Sequence, residues 1–388
     1  MARPIPRLAM LGGILAFGLL ALGNGLDRAA ARNPGLARFV PDFLSAEAAR
    51  SRSAQALQNG DTKRAIAEAE RAVRADPIDP RSTALLGAGQ LAARQSVRAD
   101  ATFRIAARFG WRDPLTQLYF MNAAFATGQP RLAAMRLDAI LRQAPDFPVR
   151  DMLLAQFEAS PAGRAALAER LASRPPWTFA FLNHTSEVQL PGLRARAEIV
   201  AAMRPRWGCD RVAPLVTALV LRSGVAEASS LWQAQCRNGA PGIDDPRFAS
   251  LPQNRQPVVF EWNLIGSGDV SAQPAAQAAP GATGLVARVS GPGARPVSWQ
   301  MLVLPTGHYR LSWKAVSPAG VPAKGTAFAL SCALGERNPL PPSAPADSPQ
   351  MAATDLAIDG RCPGYFLTLW LEPGAQNTLI DELALTRL

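Results

Sequence analysis

Histidine is nearly missing from this chain: His184 and His308 are the only two in 388 residues. They fall in regions of different composition, so no histidine pair is at hand for acid–base work. Lysine is as scarce, with Lys63, Lys314 and Lys324 alone, and the positive charge rests on arginine. The arginines are spread along the chain and form no dense run. Nucleic-acid surfaces show a basic stripe with interleaved aromatics. Its absence argues against nucleic acid as a partner, despite a formal net charge of +11. None of the four cysteines sits in a C-x-x-C pair or near a histidine, which removes the usual zinc patterns. There is no G-x-S-x-G, H-E-x-x-H, P-loop or dinucleotide fingerprint. Gly281-Ala282-Thr283-Gly284 and Gly291-Pro292-Gly293 precede no helix, so they cannot present phosphate to a helix N-terminus. Asp244-Asp245 reads as a solvated turn. These absences argue against an enzyme and against a cofactor. One enzymatic reading stays open, a hydrolase built on two carboxylates that meet only in space.

What is present begins with an apolar run from Leu8 to Leu26, preceded by Arg3 and Arg7. About nineteen helical residues at roughly 1.5 Å each just span a bilayer core. Residues 1–27 therefore read as a membrane anchor. A signal peptide has the same outline, with Ala29-Ala30-Ala31 as a small-residue cleavage site. Asp27 and Arg28 between the run and that site favour an uncleaved anchor. The leading arginines keep the N-terminus in the cytoplasm. The expectation is a single-pass inner-membrane protein with its bulk in the periplasm. The alternative is release into the periplasm after cleavage.

Beyond the anchor, small and apolar residues recur at a step of 34: Ala65, Ala99 and Ala133, then Ala69, Phe103 and Leu137, then Ala72, Ala106 and Ile140. Each triple is an i, i+4, i+7 helical stripe. Pro77 and Pro145 close the first and third units, and Gly128 repeats Gly60. Spacing and helix-turn-helix units resemble tetratricopeptide repeats, best over 45–145. That resemblance implies a curved array whose first helices line an inner groove. Its groove positions here are Arg50, Leu57, Gln58, Arg81, Leu91, Asn122 and Phe125. Leu57, Leu91 and Phe125 share the 34-residue step and could form an apolar strip for a peptide, or could be packing residues. The period decays after Pro145, but helical patterns run on to Cys236, so 45–240 is taken as one α-solenoid. In an oxidising compartment the cysteines read as two local disulfides, Cys209–Cys236 and Cys332–Cys362; the alternative is four buried thiols.

Composition changes after Gly239-Ala240-Pro241-Gly242. Proline, glycine and alternating patterns take over, and His308 to Lys314 alternates cleanly, with Tyr309, Leu311 and Trp313 on one face. Strands are expected at Val258–Ile265, Leu285–Ser290, Val297–Leu304, Thr326–Leu334, Tyr365–Leu371 and Thr378–Leu385. Ala272–Gly284 and Asn338–Gln350 read as loops. Six to eight strands without intervening helices imply an antiparallel β-sandwich over 250–388. The turn Leu304-Pro305-Thr306-Gly307 into His308–Leu311, and the closing stretch Leu379–Leu385, resemble jelly-roll domains of the carbohydrate-binding-module kind. The resemblance implies glycan contact through exposed aromatics, for which Trp370 and then Trp299 are the candidates. It also makes Asp381 a candidate ligand for a structural calcium. By the alternation Asp381 shares the inward face of Leu383 and Leu385, where a backbone or arginine partner would serve it as well.

The fold expected is thus α + β and multidomain: a membrane helix, a tetratricopeptide-like solenoid and a β-sandwich. The function expected is a non-enzymatic envelope scaffold that holds other envelope proteins, in a process such as surface-polysaccharide assembly or export. A glycan-binding protein acting through the sandwich is the alternative.

Overall fold

The apolar N-terminal run forms a helix, α1 (Arg7–Ala30), that continues past the run to its last alanine. Within it Met10–Ala30 is long and apolar enough to cross a membrane and is almost unburied by the rest of the chain. This is the computed structural model of the chain, and it describes residues 7–237, 242–252, 255–266, 268–278, 281–334, 351–374 and 376–388. Arg3, Gly239 to Pro241 and the expected loop from Asn338 to Gln350 lie outside the described residues.

The chain divides into two compact units, Met1–Trp177 and Thr178–Leu388. In the first unit, α1 is followed by two short 3-10 turns, Pro34–Phe39 and Asp42–Leu44, and then by antiparallel helix pairs. These are α2 (Ala46–Gln58) with α3 (Thr62–Ala75), α4 (Pro80–Ala92) with α5 (Ser96–Ala107), and α6 (Pro114–Ala126) with α7 (Pro130–Gln143). A shorter pair, α8 (Arg150–Glu158) and α9 (Pro161–Leu171), follows. The second helices start at Thr62, Ser96 and Pro130 and the first helices at Ala46, Pro80 and Pro114, so the 34-residue step is kept at both ends of each hairpin. Within each hairpin the tight turn puts a residue in the left-handed region: Gly60 at φ 75°, Arg94 at φ 61° and Gly128 at φ 69°. Glycine tolerates that conformation and arginine does so at a cost.

All nine ladder residues are buried. The alanines allow close helix approach, and the larger member of each stripe fills the remaining gap. Gly87 shows how tight this is. A Cβ there would stand 3.0 Å from the Phe103 ring, which in turn stacks on Tyr119 at 4.2 Å between centroids.

The second unit opens with α10 (Thr178–Asn183), α11 (Leu190–Ala201), α12 (Cys209–Leu221) and α13 (Val225–Cys236). The change from helix to strand comes where composition changes, after Cys236. The compact unit, however, begins at Thr178, so these four helices belong with the sheets.

Nine strands follow among the described residues: β1 (Asn263–Leu264), β2 (Val270–Pro274), β3 (Leu285–Val289), β4 (Arg295–Leu302), β5 (Gly307–Val316), β6 (Thr326–Ser331), β7 (Met351–Ile358), β8 (Tyr365–Leu371) and β9 (Thr378–Arg387). They form two antiparallel sheets in the orders β1-β4-β8-β6 and β2-β3-β9-β5-β7. Alternate residues of both sheets meet in one core around Trp262, Leu285, Leu311, Trp313, Phe328 and Leu367. That is the expected antiparallel β-sandwich. Several details differ from the sequence reading. β7 is not among the strands expected, and a short helix, Ala275–Ala278, stands between β2 and β3. The stretch before Asn263 is not a strand, although Phe260 and Trp262 are buried. The Ala/Gln/Pro segment read as a loop supplies the end of β2, which pairs with β3 from Val270↔Val289 to Pro274↔Leu285. Proline ends that strand, in keeping with its missing N–H donor.

Cys332 and Cys362 form a disulfide just beyond the paired ends of β6 and β8. Cys209 and Cys236 are brought together by α12 and α13 but remain thiols in this structure, hydrogen-bonded to each other.

Candidate functional site

Three first helices and the entry to the fourth hairpin converge on one cavity of about 320 Å³ in the first unit. Its polar wall is a cluster of charges. Glu47 Oε1 accepts from Arg50 Nη2 at 2.6 Å and from Arg81 Nη2 at 2.7 Å. Arg81 also grips Asp79, with Nη2 to Oδ2 at 2.6 Å. Arg50 is buried, donates to Ser82 Oγ at 2.9 Å and pairs with Asp79 at 3.2 Å. The apolar wall is Leu85, Leu115 and Phe147. The helix period explains the assembly. Glu47, Arg81 and Leu115 occupy one column of the 34-residue step, and Ser51 and Leu85 another, so one face of each first helix meets the cavity.

The electrostatics follow from this packing. Burial pushes the Glu47 carboxyl up, but the hydrogen bonds and charges of Arg50 and Arg81 outweigh it and hold Glu47 below its ordinary range. Asp79 is likewise held low by Arg81 and Arg50 against its burial. Arg81 is held well above its usual value, chiefly by Asp79. Asp113, which caps α6 through the Thr116 N–H at 2.7 Å, is pushed up by burial despite that bond. Glu47, Asp79 and Arg81 therefore stay ionised together near neutrality. Such a paired network offers charge for recognition.

Of the groove residues expected from sequence, Arg50 and Arg81 line this cavity. Leu57, Gln58, Leu91, Asn122 and Phe125 lie toward the other end of the first helices. Gln58 and Asn122 are exposed, Leu57 is half-buried and Leu91 is 47% exposed. Phe125 packs edge-on against Phe157 of α8, 4.4 Å between centroids. Its ring is thus partly taken up in packing. Glu47, Leu85, Leu115 and Phe147 were missed. The first three were legible as repeat columns. Phe147 lies past the third hairpin, where the period gives no signal.

In the second unit the predicted glycan aromatics stand on the outer face of one sheet. Trp299 meets Phe366 edge-on at 5.4 Å, and Trp299 lies opposite Thr368 in the register. Trp299 and Trp370 are both half-buried, so neither is a bare stacking platform. A Cβ on Gly364 would meet Met301 Sδ at 2.8 Å and Val225 Cγ1 at 3.3 Å, so α13 approaches this face. A larger cleft of about 810 Å³ lies elsewhere, where Trp262 is flanked by Gln256, Asn263 and Gln277.

Asp381 does not keep to the face expected of it. A bulge at Glu382, with φ 55°, resets the alternation of β9. Ile380 lies opposite Ala315 in the core register, and Asp381 lies opposite Lys314 on the other face. Its carboxylate accepts from Thr283 Oγ1 at 2.7 Å and from the Glu382 N–H at 2.7 Å, with Arg247 at 3.6 Å. These contacts supply the partners that a buried carboxylate requires. Among the described residues no group of three or more His, Cys, Asp or Glu is arranged to hold a metal ion.

A polar cluster surrounds the two thiols. Arg255 is bidentate on Glu261 at 2.6 and 2.7 Å and also reaches Asp210 at 2.9 Å. Asp244 accepts from Trp232 and Arg237. The hydrogen bond from Cys236 holds the Cys209 thiol below its usual range, and the same bond together with burial pushes Cys236 up. Cys209 also opens α12, where the helix dipole favours a thiolate. The sequence reading pairs these two cysteines as a local disulfide; here they are adjacent thiols. Their carboxylate and arginine neighbours, contributed by the segment after the last helix, were not legible.

No protein-family model matches the chain, and no curated protein matches its sequence.

Proposed function

We propose that this chain is a non-enzymatic, membrane-anchored scaffold of the bacterial cell envelope. It holds protein partners in the cavity lined by α2, α4 and α6, in a process such as surface-polysaccharide assembly or export. The observation that carries this reading is the convergence of three helices of equal phase on one cavity, with a paired charge wall facing an apolar one. That combination suits an extended peptide segment with one apolar side chain, whose neighbouring polar groups meet Arg81 and Glu47. The 34-residue step and the likeness to tetratricopeptide repeats support the same reading. An inner-membrane anchor with the bulk of the chain in the periplasm agrees with the membrane-length α1 and with a disulfide at Cys332–Cys362. Retention of the anchor is supported by Asp27 and Ala30, which are buried in the fold that follows. The partners already supplied to Asp381 favour a scaffold without a resident calcium.

Cross-linking of the full-length chain in its membrane tests the proposal. Arg81→Glu and Leu85→Arg should each abolish a cross-linked envelope partner that the wild type and Leu91→Arg retain. Retention by both cavity variants, with loss in the Leu91 variant, would return the site to the Leu57–Leu91–Phe125 strip.

The glycan-binding reading rests on the half-buried Trp299 and Trp370. Under it a glycan array probed with the full chain gives signals that Trp370→Ala removes.

A further inference from the structure

The segment after α1 does not lead away from the helix. It turns back along it. Residues Pro34–Phe39 and Asp42–Leu44 fold against α1, and Leu44 sits so close to Gly23 that a Cβ there would meet Leu44 Cδ1 at 2.6 Å. Gly23 lies seven residues before the end of α1, about 10 Å back along the helix axis at the standard rise. The returning segment is tied in place. Arg52 donates to the Ala37 carbonyl at 2.8 Å, Ser51 to the Ala30 carbonyl at 3.0 Å, and Asp27 accepts from the Glu47 and Ala48 N–H groups.

This return shortens the part of α1 that stands clear. From Leu8 to Leu22 the helix rises about 22 Å, against a hydrocarbon core of about 30 Å. A bilayer crossed by α1 must therefore extend past Gly23, to the level of the returning segment. That segment presents what a membrane boundary accepts. Phe43 is 76% exposed and Phe39 59% exposed. Arg28, Arg32 and Arg38 are exposed beside them, and the Arg38 guanidinium lies 4.7 Å from the centre of the Phe39 ring. Asp27, the one acid at this depth on α1, is turned into protein and capped by backbone N–H groups, which is how such a charge is tolerated near lipid.

We propose that Pro34–Leu44 is a lipid-docking wedge. Phe39 and Phe43 enter the acyl-chain boundary, and Arg28, Arg32 and Arg38 bind the phosphodiester headgroups of the same leaflet. The helical array is then held on the bilayer surface and not on a flexible stalk. The proposal rests on reading α1 as a membrane span, and its test keeps the two apart.

Benzoylphenylalanine is placed singly at Phe17, Phe39, Phe43 and Ile78 in the full-length chain, reconstituted in vesicles of phosphatidylethanolamine and phosphatidylglycerol. All four side chains are exposed, so the fold tolerates the exchange. After irradiation, lipid adducts are counted by mass spectrometry. Positions 39 and 43 should give at least tenfold more lipid adduct than Ile78, with Phe17 as the reference for a buried span. Adducts at Phe17 with none above the Ile78 level at 39 and 43 would overturn the wedge and leave the anchor standing. Adducts of 39 and 43 to a second copy of the chain, in place of lipid, would also overturn it. Absence of lipid adducts at Phe17 would overturn the anchor itself.

Discussion

The position just before each first helix shows how one residue can bind distant parts of the chain. Asp79 and Asp113 occupy it in the second and third hairpins, and each carboxylate accepts from an N–H of its own helix. The first hairpin has Ser45 there, which makes no such bond. Asp27 supplies the missing carboxylate from α1, accepting from the Glu47 N–H at 3.1 Å and the Ala48 N–H at 2.8 Å. Helix capping of this kind contributes about 1 kcal/mol. Asp27→Ala should therefore lower the thermal midpoint of the full chain in detergent by roughly 2–4 °C, with Asp27→Asn in between because it keeps one acceptor oxygen. An unchanged midpoint in Asp27→Ala would mean that the anchor helix is not coupled to the hairpins through this bond.

Among the elements, the ladder positions of the second helices are buried, whereas some groove positions of the first helices are exposed. Leu137 of α7 is fully buried, whereas Leu91 of α4 is 47% exposed. Leu137→Ala removes buried volume and should cost about 2–5 kcal/mol, while Leu91→Ala should change stability by no more than about 0.5 kcal/mol. Chemical denaturation of the two variants side by side measures this contrast, and equal losses would contradict the assignment of faces. The ladder that places Leu137 was legible in sequence because buried small and apolar residues must recur wherever identical hairpins stack. The face of the first helices was legible only in part. Its columns mix Glu47 with Arg81 and Leu115, so hydrophobicity alone does not mark them. The strip chosen for its hydrophobicity proved to include Phe125, which packs on Phe157.

At the scale of the whole molecule, acid should act through the charge wall of the first unit. Glu47 and Asp79 have folded values below the ordinary 4.5 and 3.8 of free groups, because Arg50 and Arg81 outweigh their burial. Their contribution is complete above those free values and is lost as pH falls through the lower folded ones. Asp113 has the opposite sign. Burial raises its folded value, so its ionisation costs stability at neutral pH and that cost is relieved as pH falls. The thermal midpoint should fall between pH 6 and pH 3, less steeply in Glu47→Gln and more steeply in Asp113→Asn. Thermal unfolding across that range checks both slopes, and a Glu47→Gln curve parallel to wild type would count against the network.

Local and periodic features were settled by the sequence itself. The membrane-length helix follows from one apolar run, the hairpins from a 34-residue step, and the sandwich from period-two strands such as Tyr309–Trp313. These depend on neighbours along the chain, which a sequence displays directly. The tertiary structure alone decided what depends on distant residues meeting. It turned Leu44 back onto Gly23, brought Asp27 to the start of α2 and set Arg50 among carboxylates from two hairpins. It moved Asp381 to the other face of β9 through a bulge at Glu382. The last case states the physical reason: one residue out of step reverses every side chain beyond it, and nothing in the alternation of Leu379 to Leu385 announces where that step falls.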